Sequence, residues 1–199
     1  MIHQTTTNNT SMKTNHPKSI HRPAAAIVAA LALASLLACG DSQDGTAAAN
    51  DEAGPLAGWF TTDPITTGGE PIHRFRQSAE PGDQVAFSGK VMGRMQVFVP
   101  GRAAFIVGDP DTITTCDLIP GDDCETPWDA CCEDPDNIAA GIVTVQLVDD
   151  DGRVLPHEIR GVNGLTELSM VSIEGTVAAA SGNGNLIIEA TRIHVHPGE

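Results

Sequence analysis

The sequence predicts an all-β domain: a five-stranded barrel with a short helix and an acidic, cysteine-rich insertion. Segments in which apolar and polar residues alternate recur between residues 84 and 196, and turn-forming Gly, Pro, Asp and Asn residues separate them. Two of these segments contain an internal glycine, Gly89 or Gly175, where a strand of a small barrel has to bend sharply. The chain length favours one such domain.

The chain divides into parts of different composition. Residues 1–38 are the leader and residues 39–58 the linker. An N-terminal extension at 59–83 precedes the barrel domain at 84–196, and the insertion occupies 110–140 within that domain. The linker is rich in Gly, Ala and Asp, which is typical of a flexible segment. The extension begins with Trp59 and Phe60, which are expected to pack on the barrel rather than to form a docking surface.

The leader has the pattern of an export signal. Basic residues precede an uncharged apolar run at 24–38, which is too short to span a bilayer and is typical of a signal-peptide core. Either Met1 or Met12 can be the start, and Met12 followed by Lys13 gives a signal of ordinary length.

The apolar run ends in the letters LLAC, of which the last is Cys39. This ending resembles the lipobox of bacterial lipoproteins. The resemblance implies cleavage before Cys39 and attachment of a diacylglyceryl group and an N-acyl chain to its new terminus. Such lipids would anchor the protein to a cell-envelope membrane, on the extracytoplasmic face. The alternative is a plain secretory leader in which Cys39 has no role.

The charge balance argues against a nucleic-acid partner. The part of the chain after Cys39 has 26 acidic and 8 basic residues, and residues 103–152 contain 13 acidic residues and no Lys or Arg. Binding to phosphate backbones requires the opposite charge. The acidic stretch is either a solvated surface or an attractant for cations and basic partners.

The predicted strands occupy five segments: 84–91, 103–108, 142–149, 171–177 and 185–195. A short strand is also possible at 154–160, and residues 162–168 predict a short helix or turn. The Gly-Asn-Gly sequence at 182–184 is typical of a hairpin turn. In the last strand the apolar phase changes after Ala190, which predicts a bulge near Thr191.

This set of elements resembles an OB-fold of the tRNA-anticodon-binding type, a five-stranded Greek-key barrel. The resemblance is carried by the sequences VAFSGKV, VSIEGTV and NLIIEATRIHV, which begin at Val85, Val171 and Asn185. It implies a binding or interaction module. Recognition of bases on such a barrel needs aromatic and cationic side chains on the central strands, and the segments 103–108 and 142–149 offer only Phe105.

The insertion also carries a family resemblance. Residues 126–132 read TPWDACC, which resembles the TPWDxCC sequence of a set of bacterial lipoproteins, with Ala130 at the variable position. That resemblance implies no activity. Trp128 is expected to act as the hydrophobic plug of the insertion, and three neighbouring acidic residues complete a hypothetical binding face: Asp122, Asp123 and Asp129. Calcium is disfavoured because the acidic residues lack EF-hand spacing.

Four cysteines lie in the insertion with the spacing C-x7-C-x6-C-C: Cys116, Cys124, Cys131 and Cys132. Export permits disulfides, and a bond between the neighbours Cys131 and Cys132 would be strained. We therefore expect each of these two to pair with one of Cys116 and Cys124. The two bridges would hold the insertion against the barrel.

Two alternatives to disulfides remain. Four thiolates suit zinc or copper(I), although the spacing lacks the C-x-x-C pairs of common zinc modules. His194 and His196, two residues apart on the last predicted strand, could contribute to metal binding or could lie in a solvated tail. The other alternative is a redox-active pair formed by Cys131 and Cys132.

No sequence pattern of a known catalytic centre is present. The sequence therefore predicts a non-enzymatic, membrane-anchored lipoprotein of the cell envelope, without a cofactor, whose OB-fold-like module binds a protein, a glycan or a cation. The alternative prediction is an extracytoplasmic protein that binds zinc or copper through its cysteine cluster.

Overall fold

The computed structural model describes residues 54–66, 69–182 and 184–198. The predicted signal peptide at 1–38, the lipidation site Cys39 and most of the predicted linker lie outside these residues. Within the described part of the chain, no helix has both the length and the apolar character needed to cross a membrane.

The described residues form five strands that close into a barrel. They are β1 (Gln84–Lys90), β2 (Ala104–Gly108), β3 (Ile142–Gln146), β4 (Met170–Val177) and β5 (Ile187–Val195). The order around the barrel is β1-β2-β3-β5-β4, and β4 pairs again with β1. β3 and β5 run parallel, and the other neighbouring strands run antiparallel. The predicted all-β barrel is confirmed, and it is compatible with an OB-fold-like domain.

The barrel interior is filled by every second residue of the strands. In β3 the side chains of Val143 and Val145 are buried, whereas Thr144 between them is half-buried. Leu147 continues the buried phase just beyond the strand and is fully buried. Burying an aliphatic side chain of this kind contributes about 1.5–3 kcal/mol, so the alternating residues account for much of the stability of the barrel.

The bulge predicted near Thr191 is present. Glu174 in β4 pairs with Arg192 in β5, but the next residue, Gly175, pairs with Ala190. Thr191 is therefore the extra residue in β5, and the extra residue bends the strand at the point where the barrel has to close.

The connection from β3 to β4 differs from the prediction. β3 is three residues shorter than predicted, because the chain turns at Asp149. The Asp149 N–H donates to Arg153 O at 2.9 Å, and the Asp149 carboxylate accepts from Arg153 N at 2.9 Å. The possible strand at 154–160 pairs only through a bridge between Val154 and Val148 among the described residues.

Two further connections are short. The predicted helix or turn at 162–168 is a 3-10 helix, Val162–Gly164. The predicted hairpin turn includes Asn183, which is outside the described residues. Gly182 and Asn185 on either side of it form an isolated bridge.

Residues before the barrel join its core. A 3-10 helix, Gly54–Trp59, occupies the end of the segment predicted as a flexible linker, and its Leu56 is only 1% exposed. The short helix α1 (Ile72–Phe75) buries its first and last residues in the same hydrophobic core. Trp59 and Phe60 are half-buried and pack against that core. The buried apolar side chains explain why this segment is ordered on the barrel.

A buried carboxylate connects the helix α1 to the barrel. Asp109 follows β2 directly and is 2% exposed. Its carboxylate accepts hydrogen bonds from His73 N at 3.0 Å, from His73 Nδ1 at 2.7 Å and from Asp111 N at 3.0 Å. The pair joins residues 36 positions apart, so no local sequence pattern indicates it.

We predict that Asp109→Ala lowers the free energy of unfolding by about 2 kcal/mol, because two backbone N–H groups lose their acceptor in a largely buried setting. Urea denaturation measures the change. Asp151→Ala removes a carboxylate whose side chain is 70% exposed, and we expect it to change the free energy of unfolding by less than about 0.5 kcal/mol. Equal losses in the two variants would contradict the role assigned to Asp109.

Candidate functional site

The insertion leaves the barrel after β2 and returns at the start of β3. Its base is closed by a hydrogen bond from Asp109 N to Gly141 O, at 2.8 Å. The insertion contains a 3-10 helix, Cys116–Leu118, and a helix α2 (Pro135–Gly141). The cysteines therefore lie on a segment whose two ends are held together at the edge of the barrel.

The helix α2 was not predicted, although its start has a recognisable sequence signal. Asp134 is the N-cap, and its carboxylate accepts a hydrogen bond from Asp136 N at 2.8 Å. Pro135 occupies the first helical position, where its missing N–H costs nothing. Ile138 on this helix is buried. A helix of seven residues is too short to give a clear apolar repeat in the sequence.

Backbone hydrogen bonds bring the two cysteine-bearing arms of the insertion together. Cys116 N donates to Asp129 O at 2.9 Å, and Asp117 N donates to Pro127 O at 2.9 Å. Because Cys131 follows Asp129 by two residues, this pairing places its thiol beside that of Cys116. The proximity of the cysteines is thus set by backbone bonds and does not depend on a covalent link.

Contacts with the β1–β2 connection, with the core and with β1 fix the position of the insertion. Trp128 Nε1 donates to Met95 O at 3.0 Å, and Gly93 N donates to Trp128 O at 2.9 Å. The Trp128 ring packs against both the main core and a smaller cluster of buried residues. That smaller cluster consists of Met92, Ile113, Ala130 and Ile138. An ion pair of 3.0 Å between Lys90 Nζ and Asp117 Oδ2 adds a contact to β1.

Three thiols converge at this place. The Sγ atoms of Cys116, Cys124 and Cys131 all lie within 4.8 Å of one another. The sulfur atoms of Cys116 and Cys131 are 3.5 Å apart, and the Cys132 sulfur is 3.8 Å from that of Cys131. A disulfide requires about 2.05 Å, so these sulfurs are not at bonding distance. All four cysteines of the insertion are free thiols in this structure.

The sulfur spacing suits a shared metal ion. Two thiolates bound to one ion at about 2.3 Å lie roughly 3.8 Å apart in tetrahedral geometry. The observed separation of 3.5 Å between the Cys116 and Cys131 sulfurs, within a group spanning at most 4.8 Å, is close to this value. The separations among the three sulfurs are therefore compatible with one shared ion.

The thiols differ in acidity. Burial raises the pKa of Cys116, and hydrogen bonds with Cys131 and Cys124 raise it further. Hydrogen bonds with the side chain and backbone of Thr126 lower the pKa of Cys124. The pKa of Cys132 is raised, first by its hydrogen bond with Cys131. Cys124 therefore ionises more readily than Cys116, and a bound cation would have to displace the proton of Cys116.

No protein-family model, curated protein or solved structure matches this chain. Functional assignment therefore depends on the chemistry of the residues themselves. Among the described residues, the converging group of possible metal ligands contains sulfur only.

Two of the three acidic residues of the hypothetical binding face hydrogen-bond backbone N–H groups of the insertion. The Asp122 carboxylate accepts from Cys124 N at 3.0 Å, and that of Asp129 accepts from Ala130 N at 2.8 Å. Asp123 is exposed. These three carboxylates do not belong to the converging group. Asp122 and Asp129 instead hold the backbone at or beside the cysteines through these hydrogen bonds.

His194 lies in β5 and His196 directly follows it. Both are outside the converging thiol group. Their rings are 5.2 Å apart, as expected for one side of a strand. His194 Nδ1 donates to Thr61 O at 3.1 Å, and His196 Nε2 hydrogen-bonds the Ser172 hydroxyl at 2.8 Å. The Ser172 hydroxyl also bonds that of Ser88, 2.7 Å away on the paired strand β1. This polar chain was not predicted, although the pairing of alternating strands could have indicated it.

Proposed function

We propose that this protein is a non-enzymatic, cell-envelope protein that binds a thiophilic metal ion through Cys116, Cys124 and Cys131. The observation that supports this function is the convergence of the three Sγ atoms within 4.8 Å. Zinc and copper(I) are the biological ions that sulfur-only sites of this kind prefer.

The surroundings of the thiols favour binding without a large rearrangement. Cys116 is only 2% exposed, and its backbone is held by the hydrogen bond to Asp129 O. Trp128 joins the same segment to the barrel core. A ligand set that is already positioned loses less conformational entropy when the ion binds, so the rigid barrel contributes to affinity.

The leader supports the proposed location, and the acidic charge supports attraction of cations. The LLAC ending resembles a lipobox, which supports export and lipidation at Cys39, and TPWDACC resembles the motif of bacterial lipoproteins. A lipid anchor would keep the site at the extracytoplasmic surface of a membrane. The 13 acidic residues between 103 and 152 would raise the local concentration of cations near the thiols.

A second candidate is the disulfide-stapled interaction module. The contact of 3.5 Å between the sulfurs of Cys116 and Cys131 supports it, because an oxidising compartment would join the closest pair. In that form the insertion would serve as a rigid binding face for a protein, a glycan or a cation. The metal function is preferred because a third sulfur, that of Cys124, belongs to the same group.

Metal analysis of the full chain, purified under reducing conditions in detergent and then exposed to zinc or copper(I), tests the proposal. We expect a single tightly bound ion per chain, and we expect Cys116→Ser combined with Cys124→Ser to lose it because two of the three ligands are removed. His196→Gln is the control, and it should retain the ion because His196 is outside the thiol group.

Thiol titration of the chain isolated without reductant separates the two candidates. Absence of free thiols in the insertion, no bound ion under any of these conditions, and a lower melting temperature after Cys116→Ser and Cys124→Ser would contradict metal binding. Those results would support the staples.

A further inference from the structure

We infer that the bound ion is copper(I), held in a three-coordinate site of Cys116, Cys124 and Cys131 from which Cys132 is excluded. This inference rests on the proposed metal-binding function and specifies its ion. It depends on the number of sulfurs that converge, on the absence of another ligand type from that group, and on the position of Cys132.

The number of converging sulfurs is three. Cys132 is the immediate neighbour of Cys131 in sequence, and its sulfur is 3.8 Å from that of Cys131. It nevertheless lies outside the group whose members are all within 4.8 Å of one another. Cys131 and Cys132 are both exposed, so the separation of Cys132 from the group is a matter of the position of its sulfur and not of burial.

Among the described residues, the group of mutually close ligand atoms has no fourth member. The Asp122 carboxylate accepts a hydrogen bond from Cys124 N at 3.0 Å and also interacts with the Cys116 thiol. In the described part of the chain, no carboxylate or imidazole joins the three sulfurs as a possible ligand. The converging donor set is therefore three sulfurs, and the Asp122 carboxylate interacts with the Cys116 thiol from outside that set.

This donor set distinguishes between the two candidate ions. Zinc in protein sites built for stability is four-coordinate, with Cys, His or a carboxylate completing the tetrahedron. Soft thiolates favour copper(I), a monovalent d¹⁰ ion that does not require a fourth ligand. Binding forms three Cu–S bonds and releases the protons of the three thiols, and copper stays in the +1 state throughout.

Competition with a chromophoric copper(I) chelator under nitrogen tests the inference on the full chain. Cys131→Ser and Cys132→Ser form a matched pair, since they make the same chemical change at neighbouring exposed positions. We expect Cys131→Ser to weaken copper(I) binding more than about 100-fold, because even outer-shell partners of a metal contribute about 10–100-fold. Cys132→Ser should change it less than about threefold. In the unmodified chain, copper(I) X-ray absorption should show three sulfur neighbours.

The outcomes separate this inference from the proposed function. Three results would contradict the three-coordinate copper site while leaving metal binding in place. They are an equal loss of copper(I) affinity in Cys131→Ser and Cys132→Ser, four sulfur neighbours in X-ray absorption, and tighter binding of zinc than of copper(I) when each is titrated alone. If neither ion binds the reduced chain, the proposed function itself is wrong. Because X-ray absorption uses the unmodified chain, misfolding of a variant cannot hide either result.

Discussion

Replacing Gly175 by alanine is expected to lower the free energy of unfolding by about 3 kcal/mol, because the barrel leaves no room for a β-carbon there. A Cβ at this position would lie 2.6 Å from Glu189 O and 2.8 Å from Ile188 Cγ2. The first of these atoms belongs to the backbone of the paired strand, at the bulge, and cannot move without breaking the pairing of β4 with β5. Urea denaturation followed by circular dichroism measures the loss.

Gly58→Ala is the matched control for this prediction. A Cβ on Gly58 meets no atom within 4 Å, and its backbone φ is not in the left-handed region. The same substitution should therefore leave the free energy of unfolding unchanged or raise it by up to about 1 kcal/mol, through lower entropy of the unfolded chain. If Gly175→Ala is as stable as Gly58→Ala, the glycine is not required for closing the barrel.

The barrel could be predicted from the sequence because the pattern that indicates each strand lies in consecutive residues. Alternation in the segment that became β4 identifies which side chains face the interior, and the phase change after Ala190 locates the bulge at Thr191. Both are properties of consecutive residues. Gly89 and Gly175 are also visible in the sequence as glycines inside strand patterns, and the structure adds that a Cβ on either would lie under 3 Å from an atom of the adjacent strand.

The thiol group could be predicted only in part, because its geometry depends on contacts between distant residues. Sequence spacing identified the four cysteines but not which of them converge. That outcome is decided by the backbone bond from Cys116 N to Asp129 O and by the packing of Trp128 across two clusters. Leu56 was likewise predicted to lie in the linker, because the glycines and alanines around it are typical of a flexible segment. The structure instead buries its side chain in the core.

Leu147→Ala is expected to lower the free energy of unfolding by about 3–4 kcal/mol, because the removed carbons leave a cavity that the closed barrel cannot fill by collapse. Leu147 is 0% exposed and belongs to the main core. Its backbone is fixed on both sides: Leu147 N donates to Ala103 O at 2.9 Å, and Leu155 N donates to Leu147 O at 3.0 Å. Chemical denaturation with urea measures the difference between the variant and the parent chain.

Leu118→Ala makes the identical chemical change at a side chain that is 61% exposed. Leu118 is the last residue of the 3-10 helix that begins at Cys116. Since water already contacts most of this side chain, its truncation should cost less than about 0.5 kcal/mol. Comparable losses in the two variants would mean that Leu147 does not face a packed interior, and the closed barrel would then be the wrong architecture. A large loss confined to Leu147→Ala would place this side chain in the packed interior on which the stability of the barrel depends.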